Sequence, residues 1–116
     1  MSGQPGGIMF MHDRLWSDNP DLATSIVEKH TQATEIIQEQ PSVAAEAVSK
    51  AKGEKLPTKI ARKALDSKAS NYISDPAQIT NSAQLFVDQM EDLGQIDTGV
   101  SNDTIFEQSL YEDVAE

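Results

Sequence analysis

The stretch NPDLATSIVEKHTQATEIIQEQPSVAAEAVSKAKG, residues 19–53, decides the fold class. Asn19-Pro20 is a helix start, pairing a side-chain oxygen at the N-cap with a preset φ at the first helical position. Asp21 follows, where the helix dipole favours negative charge. Leu22, Ile26, Ala33, Ile36 and Ile37 fall largely on one face, with Glu28, Lys29, Glu35 and Glu39 turned elsewhere. Pro41 disfavours helical geometry in the residue before it, so this helix is predicted to end near Gln40. Pro41 also opens a second helix. Its small residues Val43, Ala44, Ala45, Ala47, Val48 and Ala51 allow close packing on a neighbour, and Gly53 closes it.

Downstream, Leu56-Pro57 begins a third helix with Ile60, Ala61, Ala64 and Leu65 as its buried stripe. Asn71 to Ser74 is a short passage through Tyr72 and Ile73. Asp75-Pro76 is another cap pair, predicting a helix through Ile79, Ala83, Phe86, Val87, Met90 and Leu93 that Gly94 closes. A polar loop over 95–103 leads to a short amphipathic terminus of Ile105, Phe106, Leu110, Tyr111 and Val114. Upstream, residues 1–7 are a Gly- and Pro-rich flexible lead. Ile8 to His12 is an apolar run that suits a buried strand. A lone strand cannot satisfy its own backbone groups, and no second strand is evident. The expectation is a mainly α chain of four or five helices with one short N-terminal strand, forming a single helical domain over 8–116.

The 116 residues are 38% hydrophobic and 5% aromatic, so the core must come mostly from Ala, Val, Leu and Ile. The formal charge of −10 disfavours nucleic acid, whose binding depends on clustered Lys and Arg, and disfavours docking on anionic membranes. Acidity favours solubility and is the direction in which salt-adapted proteins are biased. There is no cysteine, hence no disulfide framework and no thiolate nucleophile or ligand. The opening residues lack the charge and apolar core of a signal peptide, and no stretch reaches the roughly 20 apolar residues of a membrane span.

No catalytic residue is assigned and no cofactor is expected. Nucleophilic catalysis needs a Ser or Cys beside an oriented His, and neither His12 nor His30 stands in such a motif. His30 reads as a packed or half-exposed helix residue; His12-Asp13 follows the expected strand but does not by itself make a site. No metal site is assigned either: Asp97 to Asp103 has oxygen ligands and Gly99, but not the alternation or closing Glu of a calcium loop. Asn102-Asp103-Thr104 fits the glycosylation pattern, a frequent chance match. Lys50, Lys52, Lys55, Lys59, Arg62, Lys63 and Lys68 hold most of the positive charge. With Leu56, Ile60, Ala64 and Leu65 they could mimic a DNA-reading helix-turn-helix, against the plainer reading of a solvated face beside Glu54 and Asp66. From Asp75 onward there is no Lys or Arg, which gives either a solvated acidic face or a docking surface for something basic.

The order of these elements resembles the C-terminal part of the periplasmic solute-binding proteins of ATP-driven importers for nitrate, aliphatic sulfonates, taurine and thiamine precursors. The likeness rests on Ile8 to His12, Asp13-Arg14-Leu15-Trp16, Asn19-Pro20-Asp21-Leu22, Ala33-Thr34-Glu35-Ile36-Ile37 and Gln40-Pro41-Ser42-Val43-Ala44-Ala45. It continues through Leu56-Pro57, Ile60 and Tyr72, then Phe86 with Leu93-Gly94-Gln95-Ile96, and the tail Phe106 to Asp113. It covers roughly residues 8–116, with Gln40 standing where Asn is usual. The resemblance implies a fragment of a two-lobed α/β fold that traps a small anionic solute by hinge closure, in an extracytoplasmic setting with importer membrane subunits as partners. It carries over no ligand-binding residue, because the lobes' main sheets and the solute-contacting loops have no counterpart here. The implied role is to brace the first lobe, with the missing lobes or a second copy of the chain covering the apolar faces. A small acidic helical protein-binding module is the alternative.

Overall fold

A computed structural model of the chain describes residues 6–53, 55–101 and 105–116. The fold is mainly α. Among the described residues there are six α-helices: α1 Asp13–Asp18, α2 Pro20–Glu39, α3 Pro41–Ala51, α4 Thr58–Leu65, α5 Thr80–Asp92 and α6 Ser109–Ala115. A 3₁₀ turn, Pro76–Gln78, precedes α5. Contacts gather in two compact units, residues 28–74 and residues 1–27 with 75–116, where the sequence reads as one helical domain over 8–116. Helix α2 runs from the second of these into the first.

In the unit of residues 28–74, α3 packs on α4. Ala44, Ala45 and Ala61 are buried, with Ala45 at 0% exposure, so the seam is one of methyl groups that lets the backbones approach. Arg62 ties the pair, donating from Nη1 to Ser42 Oγ at 2.7 Å and from Nε to Asp66 Oδ2 at 2.7 Å. Helix α3 begins at Pro41 as expected, and Gln40 makes no side-chain cap bond. It ends at Gly53 with φ 62°, whose N–H donates to the Lys50 carbonyl at 3.0 Å. That left-handed conformation is the reason a glycine stands there. Thr34 on α2 is buried, its Oγ1 donating to the His30 carbonyl at 3.0 Å. Gln38 Nε2 reaches the Tyr72 carbonyl at 2.7 Å and fastens the passage after α4 to α2.

In the other unit, Asp75 accepts from Ala77 N–H at 2.9 Å and caps the 3₁₀ turn. The single helix expected from Asp75-Pro76 to Gly94 is broken at Ile79, which is both the C-cap of that turn and the N-cap of α5. Helix α5 ends in a full Schellman motif: Gly94 at φ 65° donates to Glu91 O at 2.8 Å, and Gln95 N–H to Met90 O at 2.9 Å. Glu91 also holds the following loop, its Oε1 accepting from Gly99 N–H at 2.8 Å and Val100 N–H at 3.3 Å.

The N-terminal strand does not form. Ile8 to His12 has no regular structure, and Phe10 is 92% exposed. An apolar run alone does not make a strand; it needs edges to pair with, and no strand exists among the described residues. Instead Asp13–Asp18 coils into α1. Of the lead at 1–7, only Gly6 and Gly7 are described, both exposed.

Candidate interaction surface

The core is thin in both units. Among the described residues the buried apolar side chains are Ala23, Ala44, Ala45, Ala61 and Val87, and no large side chain is fully buried. Several residues read as stripe positions instead face water: Leu22, Ile36, Ile60, Phe86 and Leu93 are all exposed. Amphipathic spacing correctly groups such residues on a face, but it does not say whether the chain supplies anything to cover that face.

Helix α5 shows this most clearly. Val87 is buried, with Ala83 and Met90 half-buried beside it. Elsewhere on its surface Leu85 is 60%, Phe86 52% and Leu93 72% exposed. Leu85, Gln89 and Leu93 recur every four residues, the spacing of one helical face. Asp88 and Asp92 flank that row. The surface suits docking, because a solvated helix face does not require leucines at that period.

A shallow depression lies in each unit. One, of about 400 Å³, lies where α6 meets the 3₁₀ turn, lined by Asp75, Ala77, Tyr111 and Glu112 among others. The other, of about 220 Å³, lies between α2, α4 and the Tyr72 passage, lined by Ile37, Pro41, Leu65 and Tyr72 among others. Both are open to solvent. Neither is lined by a histidine.

The residues singled out by sequence are scattered. His12 Nδ1 lies 2.7 Å from Asp13 Oδ1 at the start of α1. Arg14 N–H donates to His12 Nδ1 at 3.1 Å and to Asp13 Oδ1 at 2.8 Å, so both side chains serve the N-terminus of α1. His30 is half-buried on α2, far in sequence from His12. Lys50 closes α3, Arg62 and Lys63 close α4, and Lys59, Lys63 and Lys68 are exposed. Arg62 is committed to Ser42 and Asp66. Ser67 caps the turn after α4, its Oγ accepting from Ala69 N–H at 3.2 Å. In the polar loop that begins after α5, the Gly99 and Val100 amides donate to Glu91 Oε1. The glycosylation pattern at 102–104 lies outside the described residues. No three His, Asp or Glu side chains converge as metal ligands among the described residues. No described helix is long and apolar enough to cross a membrane.

The clamp formed by Glu91 was not anticipated from the sequence. Its signal is local and weak: a carboxylate three residues before a helix-ending glycine, with a second glycine eight residues on. Compared with protein-family models, curated proteins and solved structures, the chain matches none.

Proposed function

We propose that this chain is the helical C-terminal portion of an extracytoplasmic solute-binding protein, bracing a larger α/β body and not binding solute by itself. The observation that carries the reading is the pairing of a core made almost wholly of alanine with exposed Leu22, Ile60, Leu85, Phe86 and Leu93. Side chains of that size at helical spacing are accounted for by a covering surface. The Pro-initiated helices at Pro20 and Pro41 and the Gly94 helix stop support it, because they are the landmarks on which the resemblance rests. So does the shallowness of both depressions, since solute sites are concave and enclose most of their ligand.

Two measurements test it. The coding sequence immediately 5′ to the Met1 codon is expected to continue in frame through βαβ units. Unrelated sequence with a stop in that frame would contradict it. The isolated chain titrated calorimetrically with nitrate, taurine and an aliphatic sulfonate is expected to give no binding heat; a saturable isotherm would overturn the claim that it binds none alone. A second reading, a free-standing acidic module docking a protein partner through α5, is favoured by the Leu85–Leu93 row beside Asp88 and Asp92. A stop in the upstream frame together with a stable folded monomer would move the balance to it.

A further inference from the structure

The charge of the chain is divided unevenly between its two units. Residues 28–74 hold eight Lys and Arg against six Asp and Glu, a formal +2. Residues 1–27 and 75–116 hold thirteen Asp and Glu against Arg14 alone, a formal −12. The two values add to the whole-chain −10.

The helix ends repeat the asymmetry. A helix C-terminus carries partial negative charge and is stabilised by cations. Helices α3 and α4 follow that rule, with Lys50 in the last turn of one and Arg62 and Lys63 in the last turn of the other. Helices α1, α5 and α6 have no basic residue in the last turn. Asp18 ends α1, Glu91 and Asp92 end α5, and Asp113 lies in the last turn of α6, followed by Glu116 at its C-cap, while Glu112 stands in the first turn of α6. Glu91 is compensated by the Gly99 and Val100 amides. Asp92 and Asp113 are exposed, and no salt bridge among the described residues includes either of them. Asp88 and Asp92 stand one turn apart as a like-charge pair, about 5–6 Å between Cβ atoms. Glu39 at the end of α2 is the exception within residues 28–74.

We infer that the fold of the acidic unit is gated by ionic strength: α5 and α6 reach their full length only where salt screens their carboxylates, while the α3–α4 pair, whose charge contacts are already favourable, gains nothing from screening. Screening length decides the range. It is about 10 Å at 0.1 M salt and about 3 Å at 1 M. Carboxylates one helical turn apart therefore repel at the first concentration and scarcely at the second. The same screening removes their conflict with the helix dipole. The inference needs only the layout of charge and stands whether or not the chain braces a solute-binding protein.

Amide hydrogen exchange on the whole chain at 0.05, 0.5 and 2 M KCl tests it. Protection in α5 and α6 is expected to rise at least tenfold across the range, with α3 and α4 unchanged or slightly lower, because salt screens the favourable contacts at their ends. A parallel rise in all four helices would overturn the inference, because salt would then be acting on apolar surface in general. The double variant Asp92→Lys with Asp113→Lys places cations at both helix ends. It is expected to show in 0.05 M KCl the protection that the parent shows in 2 M. If it keeps the parent's full salt dependence, the inference fails.

Discussion

Residues 28–74 and the acidic unit meet the same difficulty, a shortage of large buried side chains, in different ways. The first closes α3 on α4 through Ala44, Ala45 and Ala61, pins the pair with Arg62 and ends both helices on cations. The second has Ala23 and Val87 as its buried apolar residues, ends its helices on carboxylates, and leaves Leu85, Phe86 and Leu93 in water. Small residues are sufficient where two helices can approach closely. They are not sufficient where a helix presents leucines to nothing. The first unit is organised from within; on the proposed reading, the second is organised for a surface and a solvent that it does not supply.

The comparison can be broken at its strongest point by Ala45→Asp. A carboxylate at a position with 0% exposure has no partner in the alanine seam, and an uncompensated buried charge costs about 3 kcal/mol or more. Urea titration followed by circular dichroism should lose the α3–α4 contribution, with exchange protection in α5 unchanged. Val87→Ala is the corresponding change in the acidic unit. Removing two buried methyl groups should cost about 1.5 kcal/mol, read as faster exchange in α5 with α3 unaffected.

Smaller changes sharpen the comparison. Gly53→Ala and Gly94→Ala impose the same strain, a β-carbon at φ 62° and φ 65°, with open space around both positions. Each should cost about 1 kcal/mol. The loss at Gly53 should appear at the end of α3, and the loss at Gly94 should free the loop held by Glu91. Arg62→Ala is expected to cost only about 0.5 kcal/mol in thermal melts, because the Arg62–Asp66 pair is partly exposed and exposed pairs contribute little.

Much of the helical skeleton was legible in the sequence, because its punctuation is local. Proline after Asn19 and Gln40, and glycine at 53 and 94, act through backbone geometry that no distant contact needs to confirm. Ile8 to His12 was misread for the opposite reason: a strand is defined by its neighbours, and apolar composition does not provide them. The break at Ile79 escaped because the apolar period runs on from Ile79 through Ala83 to Val87, hiding a change from 3₁₀ to α geometry. The partition into two units was hidden by α2, whose uninterrupted period crosses the boundary. The uneven charge was visible from Asp75 onward, but its bearing on helix ends required knowing where α5 and α6 stop. The exposed row on α5 was only half legible, since spacing places Leu85 and Leu93 together without saying that they remain uncovered.

The central claim is that these apolar faces are built to be covered by something the chain does not contain. Scanning calorimetry of the isolated chain at 1 M KCl tests it most directly, since salt has then removed the charge repulsion. A compact domain of this length would unfold in one peak with a heat-capacity increment of roughly 1.5 kcal/mol/K. The account predicts a broad, weak transition with less than half that increment. A single sharp two-state peak with the full increment, from a monomer, would contradict it.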